Sequence, residues 1–384
     1  MYRWLIVSLV YVVAASASAA EPRTKSDRPV DPKVIQTLVA RVEPKPEGDF
    51  DRIPQYLDFF RTSAANDVRH FGFGVMASPA GDGMRVSGYT EFPETRNAIV
   101  AYFKALGFDK VESTIEILPS PELGEKTYGI IKSRNSLSYA EPAEKEVVTD
   151  CLLGETVFIL KEEDNHYLVH AGDGYLGWVA SKDVAPMDAE AFVDYLDGPR
   201  VFVLKDYDAG DPQLPAGAKL KLVKKDDGHV IAETPSGGEV KLPAEICDIR
   251  ETPAERIDVV CNNAKQLLGT EYLWGGKSSK GCDCSGLVQT SFAAGGVTIP
   301  RDASQQFIAG QLTATRTNRA GMRRGDTLYF INPQGRISHT GLYLGDDQFI
   351  HAVSPVVRIN SFNPKDDNYA EAQDVSFAFA KRIW

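Results

Sequence analysis

Cys284 lies in the run Gly281-Cys282-Asp283-Cys284-Ser285-Gly286-Leu287-Val288-Gln289, and two histidines follow it in apolar, strand-like stretches. His339 belongs to Ile337-Ser338-His339-Thr340-Gly341-Leu342-Tyr343-Leu344, and His351 to Gln348-Phe349-Ile350-His351-Ala352. A thiol, an imidazole to take its proton and a second group to hold that imidazole are the parts of a nucleophilic acyl-transfer site. The apolar spacing at 287, 288, 292 and 293, closed by Gly295-Gly296, predicts a helix starting beside Cys284. At a helix N-terminus unpaired N–H groups and the dipole favour an anion, so the thiol is expected to ionise more easily there. The plainer reading is a buried structural cysteine, and the histidines decide against it.

Those histidines need a sheet to bring them together. Gly325–Ile331, Thr340–Leu344 and Gln348–Ala352 are apolar runs separated by Asn332-Pro333-Gln334-Gly335 and Gly345-Asp346-Asp347, which predicts antiparallel strands with tight turns. Neighbouring strands can set His339 and His351 side by side on one face, where one imidazole orients the other. A lone histidine is usually an ordinary core or surface residue. Two of only six in one small sheet, after the cysteine helix, are not well described that way.

Residues 255–384 resemble the NlpC-type cell-wall peptidases, a papain-like family. The matching pieces are Tyr272-Leu273-Trp274-Gly275-Gly276, Asp283-Cys284-Ser285-Gly286-Leu287, Pro300-Arg301-Asp302-Ala303-Ser304-Gln305-Gln306, Gly325-Asp326-Thr327-Leu328-Tyr329-Phe330, His339-Thr340-Gly341-Leu342-Tyr343-Leu344-Gly345 and Phe349-Ile350-His351-Ala352. The resemblance implies Cys284 as nucleophile, His339 as base and His351 as the third member. It also implies that the Tyr272 side chain sits by the cysteine and that Asp283 and Ser285 border the cleft. No cofactor is implied, and no Cys/His spacing fits a zinc site. Cys282 stands where such enzymes often carry an apolar residue. It reads as small and buried, although a Cys-x-Cys pair could oxidise and silence the enzyme.

The rest of the chain must carry and position this unit. Residues 1–20 read as a secretory signal peptide, with Arg3, an apolar stretch from Trp4 to Ala15 and Ser16-Ala17-Ser18-Ala19-Ala20 as cleavage site. A periplasmic or secreted protein without a stable membrane anchor is expected, since no later segment is apolar enough to span a bilayer. The formal charge of -11 argues against nucleic acid as a partner. Five cysteines in an exported chain leave one free thiol, for which Cys284 is the natural choice. Cys151, Cys247, Cys261 and Cys282 could form two disulfides or none. A monomer is expected.

Residues 21–126 form an N-terminal helical and α/β region whose charged, proline-rich start, to about residue 55, reads as a disordered lead. Strands near 70–76 and 84–89, a helix over 94–106 and a strand over 110–118 follow. Residues 127–190 alternate apolar and polar residues with short turns and resemble a bacterial SH3-like domain, and 195–252 read as a second, more divergent one. The fold class is therefore α+β: two small SH3-like β-barrels and an α/β N-terminal region ahead of the papain-like domain.

Two SH3-like modules before an NlpC-type domain resemble the γ-D-glutamyl-L-diamino acid endopeptidases that act on murein stem peptides with a free N-terminal L-Ala. That resemblance implies an acidic residue after the nucleophile helix, matched by Asp302, to hold the substrate ammonium. Glu146 and Tyr175 are the corresponding choices from the first SH3-like domain. Asp302 could equally be a helix N-cap for Ala303-Ser304-Gln305-Gln306. The alternatives are a non-catalytic wall-binding scaffold, or a general wall hydrolase or amidase using the same thiol chemistry.

Overall fold

The computed structural model describes residues 30–383 apart from 65–68, 144, 211–212, 251–253 and 333–334. The expected signal peptide, the start of the lead at 21–29 and two residues of the turn at 332–335 lie outside the described residues.

From residue 30 on, the expectation of disorder to about residue 55 is overturned. Helices span Pro32–Val42 and Ile53–Ser63, the first capped by Asp31, whose side chain accepts from the Lys33 N–H at 2.9 Å. Both have a proline in the first turn, where its missing N–H costs nothing. The reason lies beneath the charged text: Ile35, Leu38 and Val39, then Ile53, Tyr56 and Phe60, recur at helical spacing and are buried in one core. That core also takes the helix Pro93–Ala105 and a sheet of Phe73–Ala80, Gly83–Thr90 and Val111–Ile117, whose last two strands run parallel across the helix.

Two antiparallel β units follow. The first runs from Tyr128–Ile131 to Val184–Met187 in seven strands, and the second from Arg200–Val203 to Cys247–Arg250 in five. The last unit pairs the helices Ala254–Gln266 and Cys284–Ala294 with a six-stranded sheet. Its strand order is Gln311–Thr315, Phe377–Arg382, Thr327–Ile331, Ile337–Gly345, Gln348–Val353, Val356–Ser361. The helix Cys284–Ala294 ends at Gly295, followed by Gly296 at φ +82°, a conformation suited to glycine.

Three regions meet in a shared aromatic core that includes Phe71, Phe158, Phe192, Phe307, Tyr329 and Phe379. Phe71 of the N-terminal region stacks on Phe379 of the last strand at 5.1 Å, and Phe379 stacks on Phe307 at 5.1 Å. Polar contacts cross the same junction: His170 Nε2 to Glu91 Oε2 at 3.1 Å, and Arg316 to Glu94 at 2.9 Å. All five cysteines are free. Among the described residues no helix is long and apolar enough to cross a membrane.

Candidate active site

Cys284 opens its helix, and Asp283 is the N-cap, accepting from Gly286 N–H at 2.7 Å. The helix can approach the preceding loop only because residue 286 is glycine: a Cβ there would fall 2.1 Å from the Gly276 carbonyl oxygen. The Asp283 carboxylate also accepts from Gly275 N–H at 2.8 Å and from both Arg301 terminal nitrogens, at 2.9 and 2.6 Å. Arg301 donates to Ser285 Oγ at 2.9 Å as well. Asp283 and Ser285 are both buried, and their polar groups are engaged in holding the helix start. The resemblance placed them along the cleft; their contacts here are those of a brace.

The sheet register explains the histidine pair. His351 lies across from Arg358, so Asn360, two residues on, shares its face. On the other side His351 faces Gly341, where a Cβ would lie 3.2 Å from the His351 Cβ. With that position empty, His339, two residues earlier on the same face, reaches His351 diagonally, Nε2 to Nδ1 at 2.8 Å. Asn368 carbonyl accepts from Asn360 Nδ2 at 2.8 Å, which leaves Asn360 Oδ1 to accept from His351 Nε2 at 3.0 Å. His351 therefore bears its proton on Nε2 and a lone pair on Nδ1. His339 must donate from Nε2, and its own Nδ1 keeps a lone pair. The network thus assigns both tautomers and leaves His339 Nδ1 as a base.

The sulfur is drawn to the strand of this base by its backbone. The N–H groups of Thr340, Ser285 and Cys284 itself act on the thiol in favour of its charged form, and Thr340 is the chain neighbour of His339. Tyr272 is half-buried, its hydroxyl pushed toward the neutral form first by burial, then by the nearby Cys284 and Asp283. A thiol, an imidazole of fixed tautomer and N–H donors are the groups that acyl transfer requires.

A family model described as NlpC/P60 family matches residues 269–373, and one described as bacterial dipeptidyl-peptidase Sh3 domain matches 138–184. Dipeptidyl-peptidase 6 of Lysinibacillus sphaericus is 30% identical over 266 residues, covering 61% of this chain and 91% of that protein. The chain belongs to the NlpC/P60 family. The gamma-D-glutamyl-L-lysine dipeptidyl-peptidase of Bacillus subtilis is 28% identical over 219 residues, covering 54% of this chain and 72% of that protein. A crystal structure of an NlpC/P60 family protein from Bacillus cereus aligns with 67% of this chain and 99% of its own, at 23% identity and a TM-score of 0.30.

Electrostatics in this NlpC/P60 cysteine peptidase depart from the sequence expectation at one point. The Cys284 thiol is pushed up, because burial outweighs the N–H donors that pull the other way. Burial likewise pushes His339 down to about 3, with His351 adding to it, and His351 down to about 4. Both shifts favour the uncharged forms, a protonated thiol on Cys284 and an unprotonated imidazole on His339. Cys282 is fully buried, its thiol pushed up to about 12 by burial, so it behaves as a small apolar residue.

The neutral histidines make acid costly. Between pH 6.5 and about 4 the unfolded chain protonates both positions while the folded chain protonates neither, so the unfolded state binds more protons and stability falls as pH falls. Above 6.5 the contribution is constant. The melting temperature of the wild type is expected to drop over that window, and His351→Leu to flatten the slope. A parallel pH series of melts for the two proteins checks it, and identical slopes would refute it.

Of the remaining expected site residues, Asp302 is exposed at the start of the short helix Ala303–Gln306, and its side chain makes no capping bond there. Buried Gln306 ties that helix to the nucleophile turn, donating to the Ser285 carbonyl at 3.0 Å and the Pro300 carbonyl at 2.9 Å. Tyr175 sits on the loop that rests on Phe307, just beyond Asp302. Glu146 is exposed ahead of the strand Val147–Leu152, and no bond described joins it to Asp302, Tyr175 or Cys284. Sequence reading gave no role to Arg301, Thr340, Gln306 or Asn360. Arg301, Gln306 and Thr340 lie inside motifs that carry the resemblance, which is the available signal. Asn360 had none, because only the strand register brings it to His351.

Proposed function

We propose that this peptidase is an exported cysteine endopeptidase that hydrolyses the γ-D-Glu–L-diamino acid bond of murein stem peptides bearing a free N-terminal L-Ala. The observation that carries the reaction is the hydrogen-bond relay from Asn368 through Asn360 and His351 to His339, which leaves the lone pair of His339 Nδ1 to take a proton. Cys284 Sγ attacks the γ-carbonyl carbon of D-Glu as its proton passes to His339 Nδ1. Backbone N–H groups at the helix start, with the Tyr272 hydroxyl, hold the oxyanion. The C–N bond breaks, His339 returns the proton to the leaving amine of the diamino acid, and a thioester remains. Water, deprotonated by the same nitrogen, then releases the γ-carboxylate and restores the thiol.

The choice of a free amine is supported by Asp302, a carboxylate with no capping bond at a position where capping would be its ordinary use, and by the neighbouring loop of Tyr175. Glu146 is the weakest member of that set. The names of the relatives, both dipeptidyl-peptidases, point the same way. The reading as a wall-binding scaffold leaves the tautomeric relay unexplained.

Mass spectrometry of products from L-Ala-γ-D-Glu-diaminopimelate and its N-acetylated counterpart tests the proposal. Losing a charged hydrogen bond to a desolvated ammonium costs about 1.5–3 kcal/mol, so acetylation should lower kcat/KM about 10- to 100-fold. Equal cleavage of both would make the protein a general wall hydrolase and leave Asp302 without an amine to bind.

A further inference from the structure

The N-terminal region contacts one loop of the first SH3-like unit, the loop that carries Tyr175. That loop, Ala171–Leu176 of the first SH3-like unit, is held from several directions. Leu176 N–H donates to the Arg69 carbonyl at 2.8 Å, and His70 Nδ1 lies 3.0 Å from the Gly174 carbonyl, to which it donates. The His70 ring stands between two aromatic rings, 5.7 Å from Tyr175 and 5.3 Å from Phe307. From the peptidase unit comes Lys381, wholly buried, whose ammonium donates to the Asp173 carbonyl at 3.1 Å and the Phe307 carbonyl at 2.8 Å. It also lies 4.8 Å from the centroid of the Phe307 ring. Within the loop, Asp173 accepts from Tyr175 N–H and from Thr149 Oγ1, both at 2.8 Å.

The chemistry of Lys381 is the telling part. Burying an ammonium costs free energy that a methionine of similar length would avoid. Desolvation pushes it down to about 8, which records that cost. What the ammonium does, and a thioether cannot, is clamp two carbonyls from two different units. One belongs to the loop carrying Tyr175, the other to the residue that ends the turn begun by Asp302. His70 fixes the same loop from the opposite unit.

We propose that Lys381 and His70 are positioning residues for substrate selection: together they lock the Asp173–Tyr175 loop onto Phe307, so that the N-terminal region completes the wall of the pocket for the peptide's free ammonium. This rests on the amine-binding reading of Asp302 given above. It assigns a task to residues 30–118, which otherwise have none. Both residues act through the loop and touch no reacting atom, so their loss should weaken ground-state binding and spare the chemical step.

The test uses the full chain, with Lys381→Met and His70→Ala compared with the wild type on L-Ala-γ-D-Glu-diaminopimelate and the N-acetylated peptide. Half-exposed His70 provides the variant that folds should Lys381→Met not. The expected result is a KM for the free peptide raised about tenfold, with kcat and the rate of Cys284 alkylation by iodoacetamide within about twofold of wild type. Selectivity against the acetylated peptide should shrink by the same factor. An unchanged KM in a folded variant overturns the lock. A wild-type protein that cleaves both peptides equally overturns the amine reading instead, before any variant is compared. In that case amide hydrogen exchange of residues 171–176 decides the lock alone: faster exchange in the variants upholds it, and unchanged exchange sinks it.

Discussion

Cys284→Ala is expected to fold like the parent and to lose turnover by about four orders of magnitude or more. Removing a nucleophile from a unit whose members act together costs nearly everything the unit contributes. The fold should barely notice. The sulfur forms no disulfide, and deleting one small buried group costs about 1 kcal/mol. The backbone N–H groups around it stay in place for binding. Melting curves and product mass spectrometry together check the expectation: a wild-type melt with no product supports thiol catalysis, and hydrolysis that survives in the variant removes Cys284 from the mechanism. A wall-binding scaffold would keep its full function in this variant, which separates the two readings directly.

Arg301→Met carries the second large expected effect, on stability and rate at once. The Asp283 carboxylate is almost completely buried and pairs with both guanidinium nitrogens, and its pKa is held low by that pair and by the Gly286 and Gly275 N–H groups despite burial. Removing Arg301 strands the charge, leaving the two backbone donors to carry it. Loss of one partner of a buried pair costs about 3 kcal/mol, taking the low end of the usual range because those donors remain and Arg301 is partly exposed. The same loss frees the helix start that aims Cys284, so kcat/KM should fall about 100-fold. Arg301→Lys should rescue little, since one ammonium cannot hold the carboxylate through two nitrogens while also reaching Ser285. Urea titration and steady-state kinetics of the two variants check this, and a lysine variant with parental values would refute it.

The parts of the site that the sequence reveals are those where chemistry restricts residue type. Cys284, His339 and His351 stood out because a thiol at a predicted helix start and imidazoles in predicted strands have few structural reasons to be there. The strands and the glycine stop at 295 were legible from periodicity and turn residues, because side-chain alternation and left-handed glycines leave local marks. Asn360 and Lys381 were not. Asn360 gains its meaning from a cross-strand register, and Lys381 sits in a strand buried on both faces, a setting in which a lysine is not expected. The net direction of the Cys284 shift was missed as well, because local sequence shows the helix terminus and hides the depth of burial. The helices between 32 and 63 were hidden by composition, with sparse apolar residues among charged ones, until their spacing was matched to a packing partner.

The spans of the contacts differ sharply between the two halves of the site. The relay that fixes the base joins residues 12, 9 and 8 positions apart. The bonds that close the selecting wall join residues 104 and 208 apart, and Arg316 reaches Glu94 across 222. Closing long loops is slow relative to local pairing. A newly made molecule should therefore acquire reactivity early and discrimination late, passing through a stage in which the thiol is armed while the doorway is still unbuilt.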